Sequence, residues 1–270
     1  MANIIRSARS GSDWSRNELL AYRITVASVQ PQEFFGQEAD PPLTGLDPAL
    51  ITSPLDLYDT NMSRDTSRFL EYLDLATNSG QETATDDFVR EFLRIVGFDE
   101  ELGLVLRTHH IVPLFNCGDD NAVAQPDVCM VDRRLTILLV VQEDKIVHNH
   151  RSIPEPQVIS EAIAAYQYNN ERRGTMGLSS LHTMTIPCIT MVGTRPTFYL
   201  VPVTEDLSDA VSTGQWPSVE TKVLKCVTVA GRHCRLTEGM EAPEYRKLAF
   251  QRMVAFKGLA KSHWERFLVK

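Results

Sequence analysis

Asp127 follows Pro126, and sixteen positions later Glu143 and Lys145 stand two residues apart. Two carboxylates and an ammonium at this spacing suit a divalent cation and a phosphoryl group. A hard ion such as Mg2+ takes oxygen ligands, commonly one or two carboxylates with waters and substrate phosphates. A lysine beside it can hold an attacking water and offset charge on the phosphoryl oxygens.

These residues need strand ends to meet on. The stretch 126–132 reads as a short strand. The stretch 135–142 is rich in branched apolar residues and reads as a central strand, with Arg133-Arg134 turning the chain between them. A hairpin there brings Asp127 and Glu143 side by side, and Lys145 shares the side of Glu143 by strand alternation. Register decides whether the design works. A two-residue loop at 133–134 puts Asp127 and Glu143 on opposite faces, so a shared ion requires an odd loop or a bulge. That shift is expected.

Around this hairpin the pattern is regular. Thr85 caps a helix whose apolar face is Phe88, Val89, Phe92, Leu93, Ile95 and Val96, and Gly97 ends it. An extended stretch covers 104–115, a helix 157–172, and two strands 186–192 and 197–203. The order mixes helices with an antiparallel meander, which predicts an α/β (α+β) fold with a mixed central sheet flanked by helices.

With those elements in place, Pro126-Asp127 and Glu143-x-Lys145 resemble the two half-motifs of the PD-(D/E)XK, or restriction-endonuclease-like, nuclease superfamily. The resemblance spans about residues 85–203. It implies a core of helix, three-strand meander, second helix and further strand. It also implies that the Asp144 carbonyl joins Asp127 and Glu143 as metal ligands, with Lys145 catalytic. Some members carry a further acid on the first helix, a place Glu91 would fill; the alternative for Glu91 is a solvent-facing charge. Others carry a glutamine and a tyrosine on the second helix, where Gln157 is the candidate and Tyr166 reads as packing. The first 80 residues are similar to uncharacterised proteins of mushroom-forming fungi with a Trp-x-x-x-Glu-Leu start, here Trp14 to Leu19. No activity comes with that second similarity.

The expectation is a nuclease that hydrolyses phosphodiester bonds with Mg2+ or Mn2+, taking nucleic acid as substrate. The alternative is a scaffold of the same fold without catalysis, acting on a protein partner. Residues 1–84 read as an accessory region on the core of 85–205, and 206–270 as an extension with an amphipathic helix, all in one compact domain. Ser15-x-x-Glu18 has the form of a capping box before an apolar stretch.

Composition narrows the classes. At 270 residues and 43% apolar, the chain carries enough apolar mass for a core, which excludes a disordered tail. No apolar run approaches the ~20 residues that span a bilayer, and no leader pattern opens the sequence, so an intracellular protein, cytoplasmic or nuclear, is expected. Five cysteines without a C-x-x-C pair fit buried free thiols better than zinc or disulfides. The net charge of −8 is uneven. Residues 1–125 hold 9 basic and 20 acidic side chains, whereas 222–270 hold 11 and 4. The basic end offers either a docked amphipathic helix or a phosphate-facing surface.

Overall fold

The computed structural model describes residues 7–38, 40–55, 62–78, 82–144, 154–229 and 239–268. The N-terminal part runs through α1 (Arg16–Ala21), β1 (Ile24–Ser28), α2 (Pro31–Phe35), α3 (Ala49–Thr52) and α4 (Arg64–Asn78). The expected capping box is present: Ser15 and Glu18 bond reciprocally at the start of α1. Then follow α5 (Glu82–Val96), β2 (Val105–Thr108), the short pair β3 (Val112–Pro113) and β4 (Val123–Ala124), β5 (Val128–Val131) and β6 (Ile137–Asp144). After these come α6 (Glu155–Thr175), β7 (Thr183–Val192), β8 (Arg195–Thr204), α7 (Glu205–Thr213), β9 (Thr221–Val227) and α8 (Pro243–Trp264).

Seven strands form one mixed sheet in the order β1-β9-β8-β7-β6-β5-β2. β2, β5 and β6 make an antiparallel meander, α6 crosses over, and β7 returns parallel to β6. The segments outside 85–205 join the same sheet, because β1 pairs in parallel with β9 and β9 lies against β8. Helices cover both faces. Phe198 of β8 touches Phe256 of α8, while its neighbour Tyr199 shares the opposite face with Cys188, which lies within the field of Glu161 on α6. α4, α5 and α8 meet through the packed rings of Phe69, Phe92 and Phe250. Among the described residues no helix is long and apolar enough to cross a membrane.

Two details of the meander set the site. Gly97 has φ +84°, where a glycine escapes the Cβ clash, and its N–H closes back on Leu93 and Arg94 to stop α5. α5 starts at Glu82 rather than at Thr85, so Thr85 and Asp86 are buried inside the helix instead of capping it. The misplacement has a physical cause: a threonine followed by two aspartates is equally at home at a cap and in a first turn.

The β5–β6 hairpin holds an odd loop and a bulge together, so the expected single shift is cancelled and position 143 alternates to the face opposite Asp127. Asp132 N–H donates to the Thr136 carbonyl, which leaves a three-residue loop at 133–135 with Leu135 at φ +66°. The Asp132 carboxylate closes it by accepting from the Arg134 and Thr136 amides. The odd loop alone would set position 141 opposite Asp127. A bulge between Met130 and Val131 then takes up one more residue on β6, so Val128 pairs with Val141 and position 142 stands opposite Asp127.

The basic C-terminal helix is docked. Lys257 donates to the Val96 carbonyl and pairs with Glu100, and Lys261 pairs with Glu101. Arg246 is fully buried and donates to four backbone carbonyls, those of Met240, Glu241, Leu50 and Ser53. It thereby fastens α3 to the start of α8. Removing a buried guanidinium strands these acceptors, so Arg246→Ala is expected to cost about 3–5 kcal/mol. Urea denaturation read by circular dichroism measures this; a loss under 1 kcal/mol contradicts the assigned role.

Candidate metal centre

Every polar group of the site sits where β5 begins and β6 ends. Asp127 immediately precedes β5, and its carbonyl accepts the His109 amide at 3.0 Å. His109 follows β2 at φ +49°, a left-handed position that turns the chain away from the sheet. Opposite Asp127 on β6 is Gln142, whose Nε2 donates to Asp127 Oδ2 at 2.7 Å. Asp86 reaches the same place from the second turn of α5, with its Oδ2 3.5 Å from His109 Nε2. One ligand atom from each of Asp86, His109 and Asp127 lies within 4.8 Å of the other two. Asp86 is buried, Asp127 half-buried and His109 exposed, so the group faces solvent on one side.

That group can hold a metal ion. Two ligands across an octahedral Mg2+ are about 4.2 Å apart, twice the ~2.1 Å bond length. The three atoms all lie within 4.8 Å of one another, so a modest contraction brings them to the separations of one coordination shell. The donor set of two carboxylates and one imidazole matches a divalent cation and leaves room for waters.

A third carboxyl closes the site from α6. Glu161 is 1% exposed. Its Oε1 accepts from Gln157 Nε2 at 3.1 Å, and its Oε2 is buried with no hydrogen-bond partner among the described residues. Burial first, and then the charge of Asp127, push its pKa well above the usual carboxyl range, against a smaller pull from Gln157. Cys129, two residues into β5 on the face of Asp127, has its thiol pushed up to about 12. Burial dominates that shift; Arg107 opposes it and Glu161 adds to it. Cys129, Cys188 and Cys226 are buried free thiols, as composition suggested, and Cys117 is a half-buried one.

The predicted residues divide as follows. Asp127 is at the centre. Gln157 is brought to it through Glu161. Glu91 is neither there nor solvent-facing: it is buried in an ion-pair cluster, 3.0 Å from Arg68 and 2.7 Å from Arg94, with Asp65 on the outside. Five residues separate Glu91 from Asp86, so the two point about 140° apart on α5, and Asp86 is the acid that faces the strands. Lys145 and the side chains of Glu143 and Asp144 lie outside the described residues; the backbones at 143 and 144 pair with Met191 and Val192. Tyr166 packs, 2% exposed.

Asp86, His109 and Glu161 were missed. His109 and His110 diverge at the left-handed turn after β2: His110 meets Tyr168 edge to face while His109 meets Asp86. The signal for His109 was its place across the meander from Asp127, which only the pairing of β2 with β5 reveals. Glu161 lies one helical turn after Gln157, a spacing visible in the sequence.

No protein-family model matches the chain, and no curated protein matches it.

Glu161 gives a pH test. Its folded pKa is raised, so the stability linked to its proton is full below the unfolded value near 4.5 and is lost as pH rises through the folded value. In chelator, the thermal stability of the native chain is expected to fall as pH rises above the unfolded value, by at most ~1.4 kcal/mol per unit from this group. Glu161→Gln removes that part of the slope and is the more stable protein at pH 8. Parallel profiles for the two would refute the shift.

Proposed function

We propose that the chain is a divalent-metal-dependent phosphodiesterase acting on nucleic acid, built on a restriction-endonuclease-like core. The observation that carries it is the convergence of Asp127, the aspartate of the first half-motif, with Asp86 and His109 at the ends of the meander. The succession α5, β2-β5-β6, α6, β7 supports the core, being the order that the resemblance implies.

In this reading Asp86, His109 and Asp127 hold the ion. The Asp144 carbonyl is a further ligand on the strength of the sequence resemblance, whereas the register turns position 143 to the face opposite Asp127, so Glu143 is not carried over as a ligand. A bound ion supplies Lewis acidity and a water of lowered pKa. The chain's own groups do the rest. Gln142 fixes the Asp127 carboxylate by occupying Oδ2, so the other oxygen is presented in one direction. Gln157 does the same for Glu161. Lys145, by the same resemblance, steadies the attacking water and the phosphoryl oxygens. Carboxylates suit Mg2+ and Mn2+ alike, and an imidazole favours the transition metal, so Mn2+ fits this donor set better.

One observation favours the alternative, a scaffold that acts by binding a protein partner. The residue directly opposite Asp127 is an amide, Gln142, and not a second acid.

Titration calorimetry with Mn2+ separates the two, followed by cleavage assays on single-stranded DNA, double-stranded DNA and RNA. The enzyme reading expects Mn2+ binding and cleavage. It also expects Asp127→Asn to lose at least about 100-fold in rate while remaining folded. A folded native chain that binds no Mn2+, or an Asp127→Asn variant as active as the native one, overturns it.

A further inference from the structure

We propose that Arg107 is the group that grips the phosphate in this centre, a guanidinium contacting the non-bridging oxygens of the diester under attack. This rests on the phosphodiesterase reading and adds its substrate-binding residue.

The placement follows from register. Arg107 on β2 pairs with Cys129, and His109 stands against Asp127 one step further along. Opposed residues share a face. Arg107 and Cys129 are therefore on the face that bears Asp127 and Gln142, and Glu161 acts on Cys129 from above. Two strand residues of one face are roughly 7 Å apart, an interval that an arginine side chain spans. A phosphate seated on an ion between Asp86, His109 and Asp127 is within its reach.

Its partners point the same way. Arg68, Arg94, Arg252 and the buried Arg246 are all engaged with carboxylates or carbonyls. Arg107 is exposed and, among the described residues, forms no ion pair. A fork of N–H donors left open beside a cation site matches a phosphate in shape and charge. The reaction it serves is balanced without another reactant. Water forms one P–O bond as one ester P–O bond breaks, and the proton that water loses ends on the departing oxygen.

Bis(4-nitrophenyl) phosphate is the probe, a diester with no base or sugar to bind elsewhere. With Mn2+, Arg107→Ala is expected to lower kcat/KM by about 100-fold or more, with thermal stability unchanged. Its Mn2+ affinity is expected to be equal to or tighter than that of the native chain, since a positive charge has gone. Arg107→Lys restores part of the rate. Arg134→Ala, at the far end of the hairpin, serves as the charge control and keeps full turnover. Turnover by Arg107→Ala within threefold of the native rate overturns the assignment while the metal centre stands. Mn2+ binding that weakens as much as turnover overturns it too, because Arg107 then merely supports the ion. A native chain that binds Mn2+ and leaves the diester intact sinks the phosphodiesterase reading itself, and this role with it.

Discussion

Burial of β6 on both faces governs the arrangement. Ile137 to Val141 are all at most 1% exposed, between an antiparallel neighbour on one side and a parallel one on the other. A strand so placed has no room for an ionisable side chain along its length, since an unpaired buried charge costs several kcal/mol. Polar chemistry is driven to the strand's end, where Gln142 meets Asp127. The parallel return to β7 requires a crossover, and α6 supplies it, so Glu161 and Gln157 arrive at the same end. α5 packs across the meander and brings Asp86. One constraint on a five-residue run therefore collects side chains from β6, α5, α6 and the residue that leads into β5.

Much of this could be read from the sequence. The periodicity over 85–203 predicts α5, β5, β6, α6, β7 and β8 to within a few residues, because each buries a face of fixed period. What could not be read is non-local. β1 and β9 look like isolated branched stretches until they pair with each other and extend the sheet. The resemblance puts the acid of the first helix at Glu91. Yet Arg68, a residue of α4, claims Glu91 and leaves Asp86 to the strands. No property of α5 alone distinguishes the two acids.

The hairpin shows how fine the limit is. An odd loop and a bulge were alternatives in the register argument, and either alone changes the parity of the pairing. Both occur, Leu135 in the loop and the extra residue on β6 beyond it, so the changes cancel and Gln142 takes the place opposite Asp127. Parity is invisible to composition and hydropathy, since a single inserted residue leaves both almost unchanged.

The parallel pairing of Ile24 with Thr221 bears on how the molecule acquires its shape. Thr221 follows its partner Ile24 by 197 residues, so β1 is made long before its neighbour. The closing of such a long loop is slow, and until then an apolar strand edge waits without a mate. Until β9 has been made, β1 has no neighbour to pair with, so its place in the sheet is fixed only afterwards.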